Sequence, residues 1–280
     1  MDAAGKTHPK RGESKMSAFK YIIFVIGTFI KLSLFLLVCF VLRYVCPMIT
    51  EYYAGYYLPS AAVCFVTLLF LAIVEENKRS FFATGYAVEN IIAGSASGFA
   101  VILVAMAAQW LLGNLKVDGF AVSIYPYDAI ADAFLKGFFP AVVFFGYFFH
   151  IIMSDFGSIP ASIISTLCYT AYECFVDHYY ISDIILAKDF TDPLLIPMLL
   201  NFILTGAISS LLIIHIGDMR SATAFLTFLA LTKSLVPVAL TATLNGRALR
   251  YNSLDSEFIL TMVLGVFFVL LLFSALDRER

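Results

Sequence analysis

Apolar runs about as long as a bilayer is thick recur along this chain, and that repetition limits the fold more than any motif does. A helix needs about 20 apolar residues to cross the hydrocarbon core. Candidate segments lie at about residues 20–46, 58–74, 86–113, 131–153, 158–177, 193–215, 221–243 and 257–275. In lipid the backbone must satisfy its own hydrogen bonds, so such segments are helices. The expected fold class is therefore all-α, a polytopic membrane bundle of about eight transmembrane helices. The composition agrees: 61% of residues are hydrophobic and 14% charged, with a mean hydropathy of +0.91. A soluble domain of this length could not bury so much apolar surface.

The remaining features bound the partners. A net charge of −2 gives no bulk attraction for nucleic acid, so none is expected as a partner. Cys39, Cys46, Cys64, Cys168 and Cys174 lie in or beside apolar runs and form no CxxC pair, so packing is their expected role. Residues 1–18 are polar and basic and read as a disordered cytoplasmic tail, with Met16 as an alternative start. Residues 19–280 read as a single transmembrane domain.

Lys and Arg placement sets the expected orientation. Lys6, Lys10, Arg11, Lys15, Lys20, Lys78, Arg79, Arg220, Arg278 and Arg280 share one side if the span count is even. Lys116, Lys188, Arg247 and Arg250 fall on the other side, among Glu51, Asp183, Asp189 and Asp192. Both termini are expected in the cytoplasm, and the protein in the plasma membrane. Arg247 and Arg250 run against the rule. The tyrosines of EYYAGYY (51–57) and Tyr179–Tyr180 suit an outer aromatic belt.

Residues 141–173, AVVFFGYFFHIIMSDFGSIPASIISTLCYTAYE, read as two membrane helices around a tight turn. The stretch FFGYFFHIIMSDFGSIPASIISTL resembles a segment of the CPBP family, the CAAX-protease and bacteriocin-processing (Abi) membrane proteins. In that family the segment begins EExxxR, crosses an FG turn and ends FxxxH. NKRSFFATGY with WLLGNLKVDG resembles the family's lead-in, and LLNFILTGAISSLLIIHIGDM the helix before its last motif, HxxxN. The resemblance covers about residues 70–235 and implies a CPBP-like core. Carried over, the two glutamates fall on Pro140 and Ala141, and the arginine on Phe145. The aromatic of FxxxH is Tyr169, its histidine falls on Glu173, and the last motif falls on Leu226 and Ala230. The family's chemistry needs a general base and an oxyanion donor converging on one point. Pro, Ala, Leu and Phe supply neither, so the resemblance implies a degenerate protease site with no catalytic residues. Glu75–Glu76–Asn77–Lys78–Arg79 imitates EExxxR but is one residue short and reads as a charged loop.

Ionisable residues inside spans are costly and take partners. Glu173 in the fifth span, Lys233 in the seventh and Lys136 in the fourth are expected to meet at the former site, Glu173 pairing with one of the lysines. Such a group is either a structural ion pair or a binding or proton-linked site. Lys31 has no obvious partner in the sequence. His150 reads as a packing or interfacial histidine, and His215 and Asp218 as residues of a cytoplasmic turn. Glu173, Asp177 and His178 lack a second histidine on another span, so neither metal nor cofactor is expected.

Three functions remain open. The first is a non-catalytic scaffold, subunit or chaperone for another membrane protein, with Gly94, Ser95, Ala96, Ser97 and Gly98 permitting close helix packing. The second is a protease with a rearranged site, using Glu173 with Lys136 or Lys233. The third is a small-molecule or lipid-handling protein that uses a Glu/Lys pair.

Overall fold

The computed structural model describes residues 87–113, 115–120, 134–177, 192–243, 247–251 and 253–278, together with residues 26, 27, 30, 33, 34, 37, 38 and 41. The chain divides into two units, Met1–Val38 and Cys39–Arg280. The described residues of the first are helical. Over its described residues from 87 onwards, the second holds six helices and a pair of short strands.

Helix α1 is Ala87–Leu111. Helix α2 runs over residues 134–156: π-helical over Phe134–Phe138 and Ala141–Phe148, then α-helical over Phe149–Phe156. Helix α3 covers residues 158–177, with α-helix at Ser158–Tyr172 and π-helix at Glu173–Asp177. Helices α4 (Leu195–Ile216), α5 (Met219–Thr243) and α6 (Ser253–Arg278) complete the set. The one addition to the helical fold among the described residues is a short antiparallel pair, β1 (Leu115–Phe120) with β2 (Arg247–Tyr251). Leu115 faces Tyr251, and an irregularity falls between Val117 and Phe120.

Four helices among the described residues are long and apolar enough to cross a membrane: Val88–Leu111, Lys136–Ser154, Leu195–Ile216 and Ser256–Ala275. The expected spans 158–177 and 221–243 are helical too. Hydroxyl residues in both bond back to the carbonyl four residues earlier. Thr170 donates to Thr166 O (2.9 Å), Thr227 to Thr223 O (2.7 Å) and Thr232 to Phe228 O (2.6 Å). This local pairing satisfies a hydroxyl without a second helix. Span 58–74 lies outside the described residues.

Helices α1, α5, α4 and α6 pack in a ring, each on the next, leaving α5 and α6 across a diagonal. Phe225 and Phe267 stack across that diagonal with centroids 6.3 Å apart. Helix α2 packs on α5, and α3 packs on α2 and α4. Side-chain pairing sets the directions. Asn90 reaches Asp218 at the starts of α1 and α5, so those two helices are parallel. Gln109 reaches Ser256, joining the end of α1 to the start of α6. Thr166 lies beside Ser210, and a Cβ on Gly206 would meet both Thr166 and Tyr169, so α3 and α4 are antiparallel. The six helices therefore alternate. The turns at Gly157 and Gly217 share one end of the bundle (the turn end). The paired strands mark the opposite end (the strand end).

Close approach of α1 and α5 depends on two missing side chains. A Cβ on Gly94 would collide with the carbonyl of Ser221, and one on Gly98 with the carbonyl of Phe225. Both obstacles are backbone and cannot rotate away. The α4–α5 turn uses a left-handed Gly217 (φ 78°), whose N–H donates to Ile213 O at 2.7 Å. Asp218 then caps α5: its Oδ1 accepts from the Arg220 N–H (3.0 Å), and its Oδ2 accepts from Asn90 Nδ2 (2.9 Å). At 2% exposure it is a buried cap that ties α1 to the turn.

Candidate functional site

Two places in the bundle concentrate chemistry. The first is the set of positions where the resemblance puts a protease site. Pro140 and Ala141 are buried, and Phe145 is fully buried on the π-helical part of α2. Proline lacks an N–H and crowds the carbonyl four residues earlier, which disrupts an α-helical ladder. Pro140 lies between the two π-helical stretches, where the ladder shifts register. This shift also changes Lys136, which belongs to the first π stretch and is half-buried. Its spacing of four from Pro140 no longer puts both on one α-helical face.

Aromatic rings occupy this place. Phe145 packs on Tyr169 with centroids 5.5 Å apart, and Phe144 packs on Tyr169 (6.3 Å), Tyr172 (5.5 Å) and Phe148 (6.3 Å). Leu226 is buried on α5, its carbonyl close to Gly137 of α2, and Ala230 is half-buried one turn on. His150 sits below, with Nδ1 2.8 Å from Gly146 O, so that nitrogen carries the proton. The structure thus joins Phe145 to Tyr169, while α2 lies between Tyr169 and the α5 positions.

Glu173 opens the π stretch that ends α3 and is only 4% exposed. Its neighbour Cys174 packs on Leu195 at the start of α4, beside Phe175, Met198 and Phe202. Lys233 pairs with Glu257 of α6 rather than with Glu173. The physical reason is the arrangement of helices: α3 packs on α2 and α4, while Phe225 and Lys233 of α5 face α6 across the ring. The side chain of Asp177, and all of Lys31 and His178, lie outside the described residues.

The second place is a polar network that sequence reasoning missed, at the strand end of the four-helix ring. Asn201 of α4, 4% exposed, donates from Nδ2 to Glu257 Oε2 at 2.6 Å and to the Glu257 carbonyl at 3.2 Å. Thr261 Oγ1 donates to Asn201 Oδ1 at 2.8 Å and lies 2.8 Å from Glu257 O. Lys233 Nζ stands 3.4 Å from Glu257 Oε1, with the lysine side chain 54% and the glutamate 18% exposed. Gln109 donates to Ser256 Oγ at 3.0 Å beside it. The carboxylate is thus held on one oxygen and open towards a half-exposed ammonium on the other. A lone Asn within PMLLNFIL was the available signal. A buried amide needs partners, and the sequence does not say which helix supplies them.

No family model and no curated protein matches this chain.

Proposed function

We propose that this chain is a non-catalytic, CPBP-like integral membrane protein that serves as a scaffold, subunit or chaperone for another membrane protein. One observation supports the reading: Phe145 and Tyr169, two positions that the resemblance assigns to a protease site, pack ring on ring, with Phe144 and Tyr172 beside them. A site that activates water needs titratable groups around a space for substrate. Of the positions the resemblance assigns, Glu173 alone carries a carboxyl, and buried aromatic rings fill the space around Phe145 and Tyr169. The described residues form a helix bundle, and its outer faces are apolar. Ile159, Ile163 and Leu167 repeat every four residues on the exposed face of α3. Phe258, Met262 and Val266 do so on α6. These faces suit lipid or another membrane helix.

In this reading the protein lies in the plasma membrane with the turn end and both termini cytoplasmic, as the distribution of Lys and Arg favours. Affinity purification in mild detergent tests it. The expected result is a membrane protein of fixed stoichiometry that survives gel filtration. Purified protein is expected to leave prenylated and leader-type peptides uncut. Cleavage that vanishes on Glu173→Gln would replace this reading with a rearranged protease.

A further inference from the structure

We propose that the strand end of the four-helix ring is a binding site for a small zwitterion. Its primary ammonium would bind Glu257 and its oxyanion would bind Lys233.

The site is built from facing helices, as ligand sites in helix bundles are. Around the Lys233–Glu257 pair stand Asn201 from α4 and Thr261 from α6, and Gln109 of α1 binds the adjoining Ser256. Beneath the pair the ring is closed by apolar packing. Phe225 is fully buried and stacks on Phe267 two helical turns below Lys233, and Leu264 and Ile208 are fully buried.

The pair itself sets the ligand class. Charge-assisted N–H···O contacts usually span about 2.7–2.9 Å. Lys233 and Glu257 stand at 3.4 Å, so the contact leaves both groups with capacity to spare. The Glu257 carboxylate is fixed in place, because Asn201 holds its other oxygen and Thr261 holds Asn201. An ammonium has three donors, and more than half of the Lys233 side chain is exposed. A purely anionic ligand would be drawn to Lys233 and repelled by Glu257, and a cation the reverse. A zwitterion laid antiparallel over the pair satisfies both charges. An N–H-bearing ammonium is required, because the Glu257 carboxylate is an acceptor.

This chemistry has two sources. One is a free molecule such as an amino acid. The other is the phosphoethanolamine head of a phospholipid, since the membrane-crossing part of α6 begins at Ser256, level with the network.

The full chain would be placed in phosphatidylcholine nanodiscs, whose heads carry no N–H. Thermal stabilisation would be titrated with glycine and with O-phosphoethanolamine. The same chain would be compared in discs containing phosphatidylethanolamine, with bound lipid counted by native mass spectrometry. Saturable binding that falls at least tenfold in Lys233→Gln and in Glu257→Gln, with partial recovery in Lys233→Arg, supports the site. Response to the free probes identifies a soluble ligand, and retention of phosphatidylethanolamine alone identifies a lipid head. Lys233→Gln alters the half-exposed partner and decides the matter even if Glu257→Gln does not fold. No response to any probe, or binding undiminished in Lys233→Gln, overturns the proposal.

Discussion

At the residue scale, Asn201 carries more than its share. Its amide holds Glu257 and accepts from Thr261, so one side chain joins two helices. Asn201→Leu leaves a carboxylate without its shortest donor. Losing a hydrogen bond to a charged group costs about 1.5–3 kcal/mol. The expected outcome is a lower melting temperature for Asn201→Leu in detergent, part of which returns when Glu257→Leu is added, because no charge is then left stranded. A double variant no more stable than Asn201→Leu alone would show that the network is not what the single change disturbs.

Phe145 makes the opposite case. It is fully buried against Tyr169, and Phe145→Ala is expected to cost about 3–5 kcal/mol by opening a cavity. Restoring family-like groups with Ala141→Glu and Phe145→Arg is expected to cut folded yield and produce no peptidase activity. Both changes put charges among rings packed too closely for water. Turnover of a reporter peptide by that variant would contradict the account of the aromatic cluster.

At the element scale, the α1–α5 contact is a packing of backbone on backbone. Gly94 and Gly98 recur every four residues, and each faces a carbonyl of α5. Gly98→Ala must push the helices apart, and overpacking of this kind costs about 1–3 kcal/mol. Gly265 in α6 is the internal control, since a Cβ there meets nothing within 4 Å. Gly265→Ala is expected to be neutral or to stabilise by about 0.5–1 kcal/mol, from helix propensity alone. Melting temperatures of the two variants, measured side by side, check the contrast. Equal effects would mean that α1 and α5 do not touch in this way.

At the scale of the whole molecule, the alternation of six helices makes a statement about sidedness. Ser154, near the turn at Gly157, and Leu112, past the end of α1, are both exposed and lie at opposite ends. In a chain freed of its own cysteines, Ser154→Cys and Leu112→Cys are expected to label from opposite faces of a sealed vesicle. Labelling of both from one face would break the alternation. Labelling of Ser154→Cys from outside intact cells would reverse the proposed orientation while leaving the fold intact.

The sequence alone determined that the described part is built of apolar helices, because run length and backbone satisfaction in lipid are local properties. Phe145 and Tyr169 pack ring on ring, a contact that spacing along the chain does not specify. The sequence put Asp218 in a turn but not against Asn90, since a capping aspartate in a short turn reads the same whether water or Asn90 faces it. It offered Lys233 or Lys136 as the partner of Glu173, and Lys233 pairs with Glu257, since depth along a helix can be counted but azimuth around the bundle cannot. Which helices stand across the ring from one another is settled by packing between distant segments, such as Gly98 on Phe225 and Phe225 on Phe267. Those contacts turned Lys233 towards Glu257, and only the tertiary structure could decide that.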